Sequence, residues 1–192
     1  MVLGLTGVMG SGKSTARKFL EASGFRGIDC DAVVKQLLTE DNAVRDGLYE
    51  RWGDAVLNAG GDIDRSAVAA IVFKNKEELR WLESWLHPRV RAYWQSQVNE
   101  DLDARWVIEV PLLFENSLEK FFNFTVCVSC SPNTQLERLS KKGISAEEAR
   151  ARMANQLPIE EKIKRADYVL FNDGDESFLR EQVERLIDAI SK

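Results

Sequence analysis

Short apolar runs alternate along the chain with longer stretches whose hydrophobic residues recur every three or four positions, a pattern that predicts an α/β fold. Val2-Leu3-Gly4-Leu5-Thr6 has the apolar character of a buried parallel strand, and the helical spacing of Ser14 to Leu20 follows it. Four further strands are expected at Phe25 to Asp31, Trp106 to Val110, Val126 to Ser129 and Tyr168 to Phe171. Helices are expected over Ala32 to Leu38, Pro132 to Lys142 and Glu176 to Ile190. The last carries Phe178, Leu179, Val183, Leu186, Ile187 and Ile190 on one stripe.

From Asn42 to about Leu102 the pattern is helical almost throughout. Segments near Ala43 to Trp52, Ser66 to Phe73, Lys76 to Leu86 and Arg89 to Leu102 are divided by Gly60-Gly61 and by polar or proline breaks. Asp64 and Asn75 are candidate caps, and Pro88 suits a first helical position. This is more helix than one crossover needs, so residues about 42–104 are expected to form a helical insertion over the ligand edge of the sheet. Trp52, Trp81, Trp85 and Trp94 lie within it, as core or as the lining of an acceptor groove. Arg65, His87 and Arg89 are polar candidates for that groove, set against ordinary surface or capping roles.

With 192 residues the chain is long enough for one domain with a substantial core. A formal charge of −5 leaves no broad basic surface, which argues against a nucleic-acid partner, so an anionic ligand must meet local positive charge. No apolar run reaches membrane-spanning length, Glu109 interrupts the most hydrophobic stretch, and Lys13 interrupts any leader-like start. Three cysteines, an odd set, suit a reducing, cytoplasmic setting. Cys127 and Cys130 form C-x-x-C, but three residues apart on a strand they face opposite sides, which disfavours a shared metal or disulfide.

Chemistry concentrates at Gly7-Val8-Met9-Gly10-Ser11-Gly12-Lys13-Ser14, which fits G-x-x-x-x-G-K-[ST] between a strand and a helix. In that context the backbone N–H groups of Gly10, Ser11 and Gly12 and the positive helix end facing them cradle phosphate, with Thr15 completing the first turn. Lys13 then reaches the β- and γ-phosphates of ATP, and the Ser14 hydroxyl ligates Mg²⁺. Asp29 and Asp31, two apart on the second expected strand, face the same side. They read as a general base with an orienting partner, or as helix caps. Glu109, near the end of an apolar strand, is a candidate to orient Mg²⁺-bound water and needs a counter-charge if buried. Arg138, Lys141 and Lys142 fall on one helix face, and Ser145-Ala146-Glu147-Glu148 fits a capping box opening a helix through Arg152 and Gln156. Residues about 138–158 are thus a candidate lid bringing cations over a transferring phosphate. Asn172 could hydrogen-bond an adenine edge.

Taken together these residues resemble the dephospho-coenzyme A kinase family over nearly the whole chain. The resemblance is carried by Gly4-Leu5-Thr6-Gly7 before Gly10-Ser11-Gly12-Lys13-Ser14-Thr15, by Ile28-Asp29-Cys30-Asp31, Asp64-Arg65 and Leu86-His87-Pro88. Pro111-Leu112-Leu113-Phe114-Glu115, Gln135-Leu136-Glu137-Arg138-Leu139, Arg152 with Gln156, and Ala166-Asp167 with Asn172 continue it. It implies a three-layer α/β/α P-loop NTPase fold, a five-stranded parallel sheet ordered 2-3-1-4-5, a helical substrate-binding insertion and a lid. It further implies transfer of the ATP γ-phosphate to the ribose 3′-hydroxyl of dephospho-CoA, with Asp31 taking the proton. Two positions depart from the family pattern. Val8-Met9 stands where Gly-Ile is usual, and Lys142, which cannot make arginine's planar bidentate contact, stands where Arg is common.

Overall fold

The structure, a computed structural model, describes residues 1–145 and 156–191. Five strands form one parallel sheet: β1 (Val2–Gly7), β2 (Phe25–Asp29), β3 (Arg105–Glu109), β4 (Phe124–Ser129) and β5 (Tyr168–Phe171). Their order, β2-β3-β1-β4-β5, is the one the family resemblance implies. β1 lies at the centre because both of its faces are apolar or small, and Leu3, Leu5 and Thr6 have no exposed surface. Helices α1 (Lys13–Ala22) and α8 (Glu176–Ile190) belong to the same layered α/β unit, as do α6 (Pro132–Lys141) and α7 (Ile159–Arg165). Leu3, Leu5, Val126, Val128 and Leu170 from the sheet meet Ala16, Leu20, Leu179, Val183 and Ile190 from α1 and α8 in one cluster. Strand order reverses beside β1, so the crevice beyond its carboxyl end is where such sheets take ligands.

The chain divides into two compact units, one of Met1–Asp29 with the residues from Glu100 onward, the other Cys30–Asn99. The second is helical: α2 (Cys30–Glu40), α3 (Asn42–Trp52), α4 (Arg65–Lys74) and α5 (Lys76–Glu100, whose last residue falls in the first unit). It has its own core, in which Val44, Leu48 and Val56 are fully buried with Val68, Val72, Leu82 and Leu86. Asp41 caps α3 by accepting from Val44 N, and Asp64 caps α4 by accepting from Ser66 N and Ala67 N.

Two local expectations are corrected. β2 stops at Asp29, and Cys30 already begins α2, so Asp29 and Asp31 do not share a strand face. Asp31 lies instead in the first turn of α2, where the positive helix end favours a carboxylate. The break expected at Pro88 is absent, and α5 runs through it as one helix of 25 residues. Leu82, Leu86, Val90 and Trp94 form a buried stripe at a spacing of four, while Pro88 is exposed. An interior proline costs about 3 kcal/mol. Burial of Leu82, Leu86 and Val90, at about 1.5–3 kcal/mol each, outweighs that cost. Arg89 Nη1 also donates to the Trp85 carbonyl at 2.8 Å, next to the Ser84 carbonyl that the proline leaves without its helical donor.

Candidate active site

The loop between β1 and α1 depends on glycine at two strained places. Gly7 has φ 143° and Gly12 φ 98°, where a Cβ would strike the Val128 carbonyl and the Asn172 amide respectively. Side chains from outside the loop then set the direction of its peptide groups. Gln135 Nε2 donates to Met9 O at 2.7 Å, and Asn172 Nδ2 to Ser11 O at 2.8 Å, with Arg138 Nη1 on the same carbonyl at 3.4 Å. A trans peptide points its N–H opposite to its C=O, so anchoring these two carbonyls outward turns the Gly10 and Gly12 N–H groups the other way. Gly12 caps α1 without a side-chain acceptor, which leaves first-turn N–H groups for a ligand. Ser11 Oγ is buried with no hydrogen-bond partner, a further donor held within the loop. Lys13, 8% exposed, folds back so that Nζ donates to Gly7 O at 3.2 Å and Val8 O at 3.1 Å.

Glu109 closes the other side. It is 5% exposed at the end of β3, in register with Leu5 of β1 and Asp29 of β2. Ser14 Oγ donates to its Oε1 at 3.1 Å, and Arg17 Nε to its Oε2 at 3.0 Å. Arg17 also pairs with Glu21 at 2.6 Å and lies 3.6 Å from Asp29 Oδ2. Desolvation works against the half-buried guanidinium, but its hydrogen bonds and charge contacts with Glu109 and Glu21 carry its pKa above the ordinary value. Sequence reasoning demanded a counter-charge for Glu109 without naming Arg17. Arg17 stands three residues after Ser14 and so shares its helix face, but that spacing does not say that β3 ends beside it.

Arg138 and Asn172 meet at 3.3 Å, Nη2 to Oδ1, and both line a cavity of about 420 Å³ beside Gly12, Thr15, Gly174 and Leu179. Asn172 therefore braces the loop with the nitrogen of its amide while the oxygen accepts from Arg138, a role not expected of it. Arg152 lies outside the described residues. Past β3, Lys162 of α7 has no exposed surface and donates to Pro111 O at 2.8 Å while pairing with Glu115 at 2.9 Å. Thr6 Oγ1 reaches the same Pro111 carbonyl, and Leu157 N donates to Glu115. A buried lysine needs this kind of pairing. Burial pushes the Cys127 thiol up to about 11 despite the pull of Lys162 and Lys13, and it raises the Cys130 thiol against Arg138. Both thiols stay protonated near neutrality.

The helical unit holds the remaining candidates. Asp31 is exposed in the first turn of α2, and Arg65 is exposed as the first residue of α4. His87 and Arg89 are half-buried in α5, with the Arg89 guanidinium 4.1 Å from the Trp85 ring centre. Desolvation lowers the His87 pKa, outweighing the upward pull of Glu83. Trp81 and Trp85 stack at 5.4 Å, and Trp52 meets Trp81 edge-on at 5.1 Å.

Among the described residues no three His, Cys, Asp or Glu side chains gather to hold a metal ion. The oxygen pair of Ser14 and Glu109 suits a different arrangement. Mg²⁺ keeps several waters and takes one or two protein oxygens together with phosphate. No helix among the described residues is long and apolar enough to cross a membrane.

The dephospho-CoA kinase family profile matches residues 1–177. The dephospho-CoA kinase of Gloeobacter violaceus is 38% identical over 191 residues, 99% of this chain and 93% of that protein. A crystal structure of a Thermus thermophilus protein superposes with a TM-score of 0.84 at 33% identity, covering 98% of this chain and 97% of that one. The dephospho-CoA kinase from Campylobacter jejuni superposes with a TM-score of 0.72 at 28% identity, covering 99% and 96%. A glycine loop braced for phosphate, an oxygen pair beside it and full-length similarity converge, and the chain belongs to the dephospho-CoA kinase family, as an ATP-dependent kinase.

Proposed function

We propose that this protein transfers the ATP γ-phosphate to the ribose 3′-hydroxyl of dephospho-CoA, directly and in line, as a cytoplasmic enzyme. The observation that carries the reading is the braced loop with Lys13 at its end and the Ser14–Glu109 oxygen pair beside it. The loop N–H groups and Lys13 hold the β- and γ-phosphates, Lys13 exchanging two loop carbonyls for phosphate oxygens. Ser14 and Glu109 hold Mg²⁺, which when bound neutralises charge on those phosphates. Thr15, Asn172 and Arg138 line the cavity that takes the rest of the nucleotide, and Arg138 faces charge developing on the equatorial oxygens. Asp31 accepts the proton of the attacking hydroxyl, a role worth about 10²–10⁴-fold. Arg65, His87 and Arg89 meet the acceptor, and Asp29, shared with Arg17, orients it. Residues Met1–Asp29 with those from Glu100 onward thus act as the nucleotide half of one kinase domain, and the helical unit as the acceptor half.

The test incubates the protein with Mg²⁺-ATP and dephospho-CoA and looks by mass spectrometry for one added phosphoryl group. A 3′-deoxy analogue of the acceptor should gain none. Phosphorylation of the 3′-deoxy analogue, or turnover of an unrelated alcohol with dephospho-CoA untouched, would overturn the assignment.

A further inference from the structure

We infer that Arg17 is a positioning residue, the built-in counter-ion that holds Glu109 with Oε1 turned to Ser14 before any metal arrives. The inference rests on the phosphotransfer reading above, because it takes Ser14 and Glu109 as the metal-facing pair.

The two oxygens of Glu109 are divided between partners. Arg17 Nε holds Oε2 at 3.0 Å, and Ser14 Oγ holds Oε1 at 3.1 Å. With one oxygen gripped by a charged donor, the carboxylate is held from turning about its last torsion, and the second oxygen keeps a fixed direction. Arg17 is itself fixed. Its side chain is 16% exposed, Nη1 pairs with Glu21 Oε1 at 2.6 Å, and Nη2 lies 3.6 Å from Asp29 Oδ2. Glu21 in turn lies over Gly27, where any Cβ would collide with its carboxylate. The guanidinium is thus locked between α1 and the ends of β2 and β3 by groups that have no part in binding phosphate.

Charge makes the consequence specific. Three carboxylates, Glu21, Asp29 and Glu109, surround one guanidinium. Glu109 is the most buried of them, with 7% of its side chain exposed against 33% for Glu21 and 30% for Asp29. Taking the cation away leaves Glu109 desolvated with a neutral hydroxyl as its donor, the costly case for a buried charge. A divalent cation on Oε1 would then supply the missing counter-charge. With Arg17 present the site is assembled without metal, and without Arg17 the metal acquires a folding role.

Thermal unfolding of the full chain separates these states. Wild type, R17M, R17K, E109Q and the double variant R17M/E109Q are compared in EDTA and in Mg²⁺ with ADP. In EDTA, R17M should lose about 6 °C or more in Tm. In Mg²⁺-ADP at least about half of that loss should return beyond the gain that wild type shows. R17K, which keeps the charge and loses the fork, should fall between. In the E109Q background R17M should cost less than about half of what it costs alone, with no metal-specific recovery. Should R17M be unfolded in EDTA, R17K carries the same comparison. An R17M loss that is equal in EDTA and Mg²⁺-ADP, or that E109Q leaves unchanged, overturns the inference, since the guanidinium then serves packing, Glu21 or Asp29. If wild type itself gains nothing from Mg²⁺-ADP, the phosphotransfer reading falls first and takes this one with it.

Discussion

In the sheet unit, functional side chains are held by hydrogen bonds to backbone carbonyls and to one another. Lys13 grips two carbonyls, Gln135 and Asn172 one each, and Glu109 lies between Ser14 and Arg17. In the helical unit, two arginines lie on indole rings as well as donating hydrogen bonds, Arg89 at 4.1 Å from the Trp85 centre with Nη1 on the Trp85 carbonyl, and Arg51 at 4.8 Å from that of Trp81 with its guanidinium on Glu78. A hydrogen bond fixes direction, because it weakens steeply once bent. A cation over a ring is held at a height but is far less constrained within the plane. The sheet unit is therefore built to present donors along set directions, as one small tetrahedral anion requires, whereas the helical unit adds to its hydrogen bonds a row of packed indoles with guanidiniums over them.

The most damaging change should fall at the directional end. Lys13→Met keeps the aliphatic stem and removes the charge, and it should lower kcat/KM by about 10³-fold with the fold retained, as circular dichroism and single-turnover assays would show. Activity within tenfold of wild type would mean that the reacting phosphate lies elsewhere. Next comes the first turn of α2. Asp31→Asn should cut kcat by at least about a hundredfold while ATP affinity, measured by calorimetry, changes little. Near-normal turnover would remove Asp31 from proton transfer and leave the aspartate as a favourable first-turn charge.

Legibility in the sequence follows the same division. The strands and the glycine loop were readable because their signals are local, an apolar run or a motif at fixed spacing in β1 and α1. Asp64 as a cap was readable for the same reason. What escaped depends on register and on side chains meeting across the sheet. Nothing local to Arg17 says that β3 ends beside it, and nothing local to Asn172 says that its amide reaches the Ser11 carbonyl across 161 positions. Pro88 misled because a local rule was overridden by a buried stripe spanning it. β2 was overextended because Ile28-Asp29-Cys30-Asp31 alternates like a strand, although the chain turns helical at Cys30. Lys162 gave no signal at all, since a lysine in a polar segment reads as solvated, and its burial comes from Pro111 and Glu115.

Asn172 tests whether the loop's direction is imposed from outside. Asn172→Ala leaves the Ser11 carbonyl without its closest donor and removes the acceptor that Arg138 reaches at 3.3 Å. Losing such a bond costs about 1–3 kcal/mol, so the KM for ATP should rise by roughly 5- to 150-fold. The effect on kcat should be smaller. Asn172→Asp keeps an acceptor for Arg138 but turns an oxygen toward the Ser11 carbonyl. It should be no better than alanine if the loop brace matters, and close to wild type if the contact with Arg138 alone matters.

The smallest effect belongs to the helical unit and reads in pH. Desolvation in α5 holds the His87 pKa below its ordinary value, so the folded protein binds fewer protons there than the unfolded chain does. Stability from this group is fully present above the unfolded pKa of about 6.5 and declines as pH falls below it. Glu83 opposes the shift without reversing it. His87→Asn should therefore flatten the fall in Tm between about pH 7 and pH 5.5, with little change at pH 8. The same variant separates a folding role from a binding one. If the acid limb flattens while the acceptor KM at pH 8 is unchanged, His87 is a packed helix residue. If the KM rises several-fold at pH 8 with Tm unmoved, the imidazole touches the acceptor, and the helical unit is more directional at that point than its tryptophan ladder suggests.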